Sequence, residues 1–181
     1  MDRMASALAE LEPIYLKPAG RRAAVACMLR ERKEGLELLA IKRADKANDP
    51  WSGHMALPGG GQEPKDKDAY DTVRREVLEE VGIDIEEGCL LGRLDDLSPR
   101  RNPREMVVSC FVVAIDAEPV QLDEEEVAEA FWIPVEHLVN EEVEIPGFPG
   151  SWPAFTYRDR YVIWGLTHRI LIQLWSLIQH T

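Results

Sequence analysis

Residues 106–115 (MVVSCFVVAI) are apolar at nearly every position, with no alternation between faces. The run is too short to cross a bilayer as a helix. As a strand it would be buried on both sides, which places it inside a sheet with a covering layer on each face. The remaining pattern supplies such layers. Strands are expected over 23–29 and 36–42, joined by a turn at Glu34-Gly35 into a hairpin. Weaker strands are expected over 90–94 and over 128–133, the second ended by Pro134. Residues 55–57 form a short apolar piece that leads into Pro58-Gly59-Gly60-Gly61, read as a glycine turn whose backbone can approach a ligand closely. Asp66 or Asp68 can cap a helix that runs to Val81 and stops at Gly82. A short helix is expected from 135 to 139, a Pro- and Gly-rich loop over 142–157, and a long C-terminal helix over 162–178. Strands mixed with unlike helices predict an α/β domain, a mixed sheet flanked by helices.

A chain of 181 residues is long enough for one domain with a substantial core and short for two. Residues 1–20 read as a leader packed onto a single domain over 21–181. The leader carries charges early and has no long apolar stretch, so it does not read as a signal peptide. Asp and Glu number 33 against 21 Lys and Arg, for a net charge of −12. That balance argues against coating nucleic acid by general attraction. It leaves room for a small anionic substrate, because bound cations invert a local field. Cys27, Cys89 and Cys110 are far apart and lack metal-ligand spacing. They read as reduced thiols, in keeping with a cytoplasmic protein and no membrane partner.

Glu76, Glu79 and Glu80 stand at i, i+3 and i+4 of the predicted helix, so their side chains share one patch. Tyr70, Val73, Val77 and Val81 make the adjacent apolar stripe that would anchor it. Three neighbouring carboxylates repel one another unless compensated, and hard cations such as Mg2+ or Mn2+ prefer oxygen ligands. A solvated acidic face is the plain alternative. The glycines upstream shift the balance, because a glycine turn ahead of such a helix is what a diphosphate–metal site needs.

Residues 61–83, GQEPKDKDAYDTVRREVLEEVGI, resemble the box of the Nudix family. The second half agrees throughout: Arg75, Glu76, Val77, Glu79, Glu80, Gly82 and Ile83. In the first half the spacing from Gly61 puts Lys67 where an acid belongs. Taking Gly60 as the box glycine puts Asp66 there instead, a form similar to the coenzyme A pyrophosphatase-like branch. LLAIKR (38–43), GHMALPGG (53–60) and IWGLT (163–167) resemble that branch too. One departure is Asp49, which stands where the branch carries an Arg.

The resemblance implies a Nudix-type α/β/α sandwich that hydrolyses a nucleoside diphosphate linked to another moiety, with Mg2+ or Mn2+ as cofactor. It implies Glu76, Glu79, Glu80 and the backbone of Gly60 as metal ligands, and Arg75 as the group that orients the glutamates by bidentate hydrogen bonds. A general base is also needed. Among Asp123, Glu124, Glu125 and Glu126 the first choice is Glu126, which borders a strand. Arg100, Arg101 and Arg104 are candidates to clamp phosphates, and His54 to touch substrate. Trp51 and Trp152 could stack on a base or simply pack. Trp164, in an apolar helix, suits the core or a homodimer contact. Coenzyme A or a derivative is the first substrate guess. The alternatives are ADP-ribose, a dinucleotide, a damaged nucleotide, or a catalytically silent nucleotide-binding domain.

Overall fold

In the computed structural model, which describes residues 1–181 apart from 18, 19, 48, 50, 101, 102, 104, 180 and 181, the apolar run forms β6 (Met106–Ala114), buried at all but its two end positions. It lies parallel to β1 (Arg21–Arg32), in register from Arg21↔Met106 to Leu29↔Ala114. On its other side it pairs antiparallel with β5 (Cys89–Arg93). β1 turns into β2 (Gly35–Arg43), and β2 pairs antiparallel with β7 (Val127–Pro134). The sheet is therefore mixed.

Period-two alternation divides the sheet's side chains between two layers. Ala24, Ala26, Met28, Leu39, Ile41, Phe111 and Val113 pack with Val73, Val77 and Val81 of α2 (Ala69–Val81). Cys27, Leu29, Leu38, Cys110 and Val112 face the other way. There they meet Met4 and Leu8 of α1 (Asp2–Glu10) and Ile170, Leu171 and Leu174 of α3 (Gly165–Gln179). Cys27 and Cys110 are thus buried free thiols of the core. Of the two proposed caps, Asp68 is the one that serves α2, accepting from Asp71 N at 2.9 Å, and Gly82 ends the helix at φ 69°.

The glycine segment is not the turn expected from sequence. β1 and β2 are paired only over Leu29↔Leu38 to Arg32↔Gly35 and then part. Residues 55–61 fill the wedge: β3 (Met55–Ala56) adds to β2, and β4 (Gly59–Gly61) adds to β1, with Ala24 opposite Gly60. Gly59 is at φ 139°, and a Cβ there would lie 2.6 Å from the Val25 Cα. The glycine admits a neighbouring strand as well as leaving backbone free for a ligand.

Two further expectations need correction. Residues 142–157 are not a loop. β8 (Val139–Ile145) and β9 (Phe148–Tyr157) form a hairpin about Pro146-Gly147, and β10 (Tyr161–Trp164) adds to it as a second, three-stranded sheet. The prolines fit because the half of β9 that holds Pro149 and Pro153 pairs with β8 alone, while β10 joins only from Ala154 onward. The C-terminal helix also begins later than expected. Residues 161–164 are strand, and Gly165, at φ 65°, turns the chain into α3. No helix among the described residues is long and apolar enough to cross a membrane.

Candidate active site

The open end of the wedge between β1 and β2 is where the charged residues gather. Gly60 sits opposite Ala24 on β1, Arg43 closes β2, and Val127 opens β7 across from Arg43. α2 lies over this end, anchored by the buried Val73, Val77 and Val81. Its next face presents Glu76 and Glu80. The loop before β7 docks on the C-terminal end of the same helix, with Val120 N donating to Val81 O and Asp123 N to Glu80 O. That docking brings Glu126 across. Oxygens of Glu76, Glu80 and Glu126 lie within 4.8 Å of one another.

The three carboxylates differ in environment. Glu80 is 3% exposed, and its Oε2 accepts from Gly59 N at 2.8 Å. Burial raises its pKa to about 8, with Glu76 and Glu126 adding to the rise and the Gly59 N–H opposing it. Burial also raises Glu76, against the pull of Arg75. The Glu76 carboxylate lies against Gly60, where a Cβ would come within 2.5–2.8 Å of its atoms. Any side chain at position 60 would displace it. Glu126 stays half exposed, 3.6 Å from Lys46 Nζ. Carboxylates brought this close, two of them with raised pKa values, fit a divalent cation with oxygen ligands. Glu79 stands apart from the trio. It is half exposed and accepts from Arg75 at 2.9 Å.

Arg75 gathers the region into one network. Its Nε and Nη2 grip both oxygens of Asp66 at 3.0 and 2.9 Å, and Nη2 also donates to Gly61 O at 3.1 Å. Nη1 reaches Glu76 and Glu79, each at 2.9 Å. The bidentate partner is therefore Asp66, not a helix glutamate. The planar fork spans five acceptor atoms on β4, α2 and the loop between them, which an ammonium could not do. Asp66 also accepts from Glu63 N at 2.8 Å, and these contacts hold its carboxyl well below the usual range.

The remaining sequence candidates lie elsewhere or outside view. Arg101 and Arg104 are outside the described residues. Arg100 is exposed, and its charge lowers the pKa of His168 and Arg169 of α3. His54 belongs to an aromatic cluster with Trp51, Phe148 and Trp164. Trp164 Nε1 lies 3.2 Å from His54 Nδ1. Indole nitrogen only donates, so Nδ1 is the acceptor and His54 is neutral, with its proton on Nε2. Burial lowers its pKa in the same direction. Trp164 itself is buried in a small core of the second sheet.

Arg43 is a site residue the sequence reading gave no role. It pairs with Asp49 at 2.8 Å, its Nε is buried without a partner among the described residues, and its charge lowers the Glu80 pKa. The only local signal was an Arg at the end of a strand. Its proximity to Glu80 depends on the wedge.

The NUDIX domain family model matches residues 20–153. Nudix hydrolase 22, chloroplastic, of Arabidopsis thaliana is 30% identical over 93% of this chain and 58% of its own length. The mitochondrial coenzyme A diphosphatase NUDT8 of Homo sapiens is 29% identical over 72% of this chain, again 58% of its own length. The chain thus spans under two thirds of these relatives. Among solved structures, a MutT/nudix family protein from Enterococcus faecalis superposes with a TM-score of 0.61 at 22% identity, covering 96% of this chain and 66% of that one. The NUDIX domain of Shewanella oneidensis NrtR, solved with ADP ribose, gives 0.52 at 22% identity, covering 73% of this chain and 83% of that one. With a family match over residues 20–153 that encloses β1, α2 and the carboxylate cluster, the chain belongs to the Nudix family.

Proposed function

We propose that the protein hydrolyses the diphosphate linkage of a nucleoside diphosphate derivative, with Glu76, Glu80 and Glu126 holding Mg2+ or Mn2+. The observation that carries this is the convergence of those carboxylates within 4.8 Å, one of them buried. Bound there, a divalent cation supplies charge neutralisation at the phosphoryl oxygens and a more acidic water. The chain's own residues do the rest. The Gly59 N–H fixes the Glu80 carboxylate. Arg75 holds Glu76 and Glu79 in place through its grip on Asp66. Glu126, open to solvent at the edge of the cluster, is the proposed acceptor of the proton from the attacking water. Arg43, with one donor unsatisfied among the described residues, is proposed to meet a substrate phosphate.

Gly60 gives a direct check on the cradle. Gly60→Ala is expected to leave the fold intact, since the three atoms nearest the new Cβ belong to the movable end of Glu76. It should weaken Mn2+ binding by about tenfold, as disturbed ligand support generally does. Titration of Mn2+ followed by electron paramagnetic resonance measures this. Unchanged affinity would remove Gly60 from the site.

Coenzyme A or a derivative is the first proposed substrate, supported by the relative named as a coenzyme A diphosphatase. ADP-ribose is the second, supported by the ligand of the NrtR domain. Asp49 occupies the position where the coenzyme A branch has an Arg, and here it neutralises Arg43 instead. A panel of both substrates decides. Cleavage of coenzyme A to 3',5'-ADP and phosphopantetheine supports the first reading. Strong cleavage of ADP-ribose with none of coenzyme A replaces it with the second.

A further inference from the structure

Trp51 is 49% exposed, although it sits in the most aromatic region of the molecule. Its ring stacks on Phe148, with centroids 5.7 Å apart and planes at 26°. Trp164 lies at 5.9 Å and His54 meets it edge-on at 5.9 Å. Three rings from three separate parts of the chain thus hold one indole with a large part of its surface in water. The second sheet supplies this backing, since Phe148 begins β9 and Trp164 ends β10. An indole that served packing alone would gain by covering that surface.

The indole is tied to the charged end of the wedge. Trp51 N donates to Asp49 Oδ1 at 2.9 Å, and the other oxygen of Asp49 takes Arg43 at 2.8 Å. The next residue, Ala44, donates its N–H to Glu126 O at 2.8 Å. The loop that carries Trp51 is therefore anchored on the residue that completes the carboxylate cluster. His54, at the far end of the loop, leads through β3 to Gly59 and Gly60.

The geometry points to Trp51, backed by Phe148, as the surface on which the planar base of the substrate stacks while its diphosphate lies at Glu76, Glu80 and Glu126. The inference rests on the diphosphate hydrolase reading and adds where that site reads its substrate. A flat, rigid π-face beside a phosphate-directed Arg suits a nucleobase. A protein partner would need on the order of 1,000 Å² of buried surface, far more than one indole offers.

Calorimetric titration of the intact protein in Mg2+ with ADP and with inorganic pyrophosphate tests this. Pyrophosphate presents the same diphosphate without a base. Trp51→Ala is expected to weaken ADP binding by about tenfold or more, Trp51→Phe to recover most of it, and pyrophosphate to bind all three proteins alike. Trp51→Ala that binds ADP as tightly as the wild type overturns the inference. So does an equal loss for ADP and pyrophosphate, which would mean the substitution disturbs the cluster. Wild-type protein that binds pyrophosphate but not ADP overturns the stacking surface alone. Wild-type protein that binds neither overturns the diphosphate reading, and the stacking surface with it.

Discussion

Glu80→Gln is expected to lower turnover by about a thousandfold, and the metal-free protein to become more stable at the same time. The two effects have one cause. Glu80 is 3% exposed and lies close to Glu76 and Glu126, so its charge is costly until a cation joins it. Its pKa in the folded chain is about 8, above the value near 4.3 expected when unfolded. The folded state therefore holds the proton more tightly. Metal-free stability falls as pH rises through that window and is lowest above pH 8. Gln does not titrate, and its carbonyl still accepts from Gly59 N. The gain should be largest at alkaline pH, a rise of about 4 °C in thermal midpoint for one or two kcal/mol in a domain of this size. Thermal scans in a chelator at pH 6 and pH 9 measure it. A variant less stable than wild type at pH 9 would show that the cluster is not under electrostatic strain.

Arg75→Lys should damage both fold and activity, despite keeping the charge. Asp66 is almost fully buried, and its carboxylate relies on the two-toothed guanidinium. A lysine cannot also span Gly61 O, Glu76 and Glu79. Loss of about 3 kcal/mol is expected from leaving a buried carboxylate poorly paired. The acid dependence follows from the same contact. Asp66 is held below its unfolded value by Arg75. Its contribution is present above about pH 4 and is lost as pH falls through the depressed folded value. The gap between wild type and variant should therefore narrow in acid. Denaturant titrations at pH 7 and pH 3 test this, and a gap that widened in acid would contradict the assignment.

How much of this was legible in the sequence depended on range. The central strand, the first hairpin and α2 declare themselves locally, by an unbroken apolar run, a Glu-Gly turn, and an Asp68 cap with Gly82 as stop. The glutamates at 76, 79 and 80 could be placed on one patch from helical spacing alone, although only Glu76 and Glu80 join the cluster. Their partners could not. Glu126 reaches Glu80 only because its loop docks on the end of α2, and Asp66 meets Arg75 from the irregular segment ahead of that helix. The hairpin β8–β9 was hidden by Pro149 and Pro153, which read as loop residues. They are tolerated because β10 leaves that half of β9 unpaired on one side. The aromatic cluster was hidden for a related reason. Trp51, Phe148 and Trp164 come from three distant segments, and no local pattern announces their meeting.

Everything proposed for this site depends on Glu76, Glu80 and Glu126 forming a divalent-cation centre. Anomalous diffraction from crystals soaked in Mn2+ tests it most directly. The expected result is a manganese peak bounded by those three carboxylates, absent from crystals of Glu80→Gln. Wild-type crystals with no peak there, or with their strongest peak at another group of side chains, would contradict it.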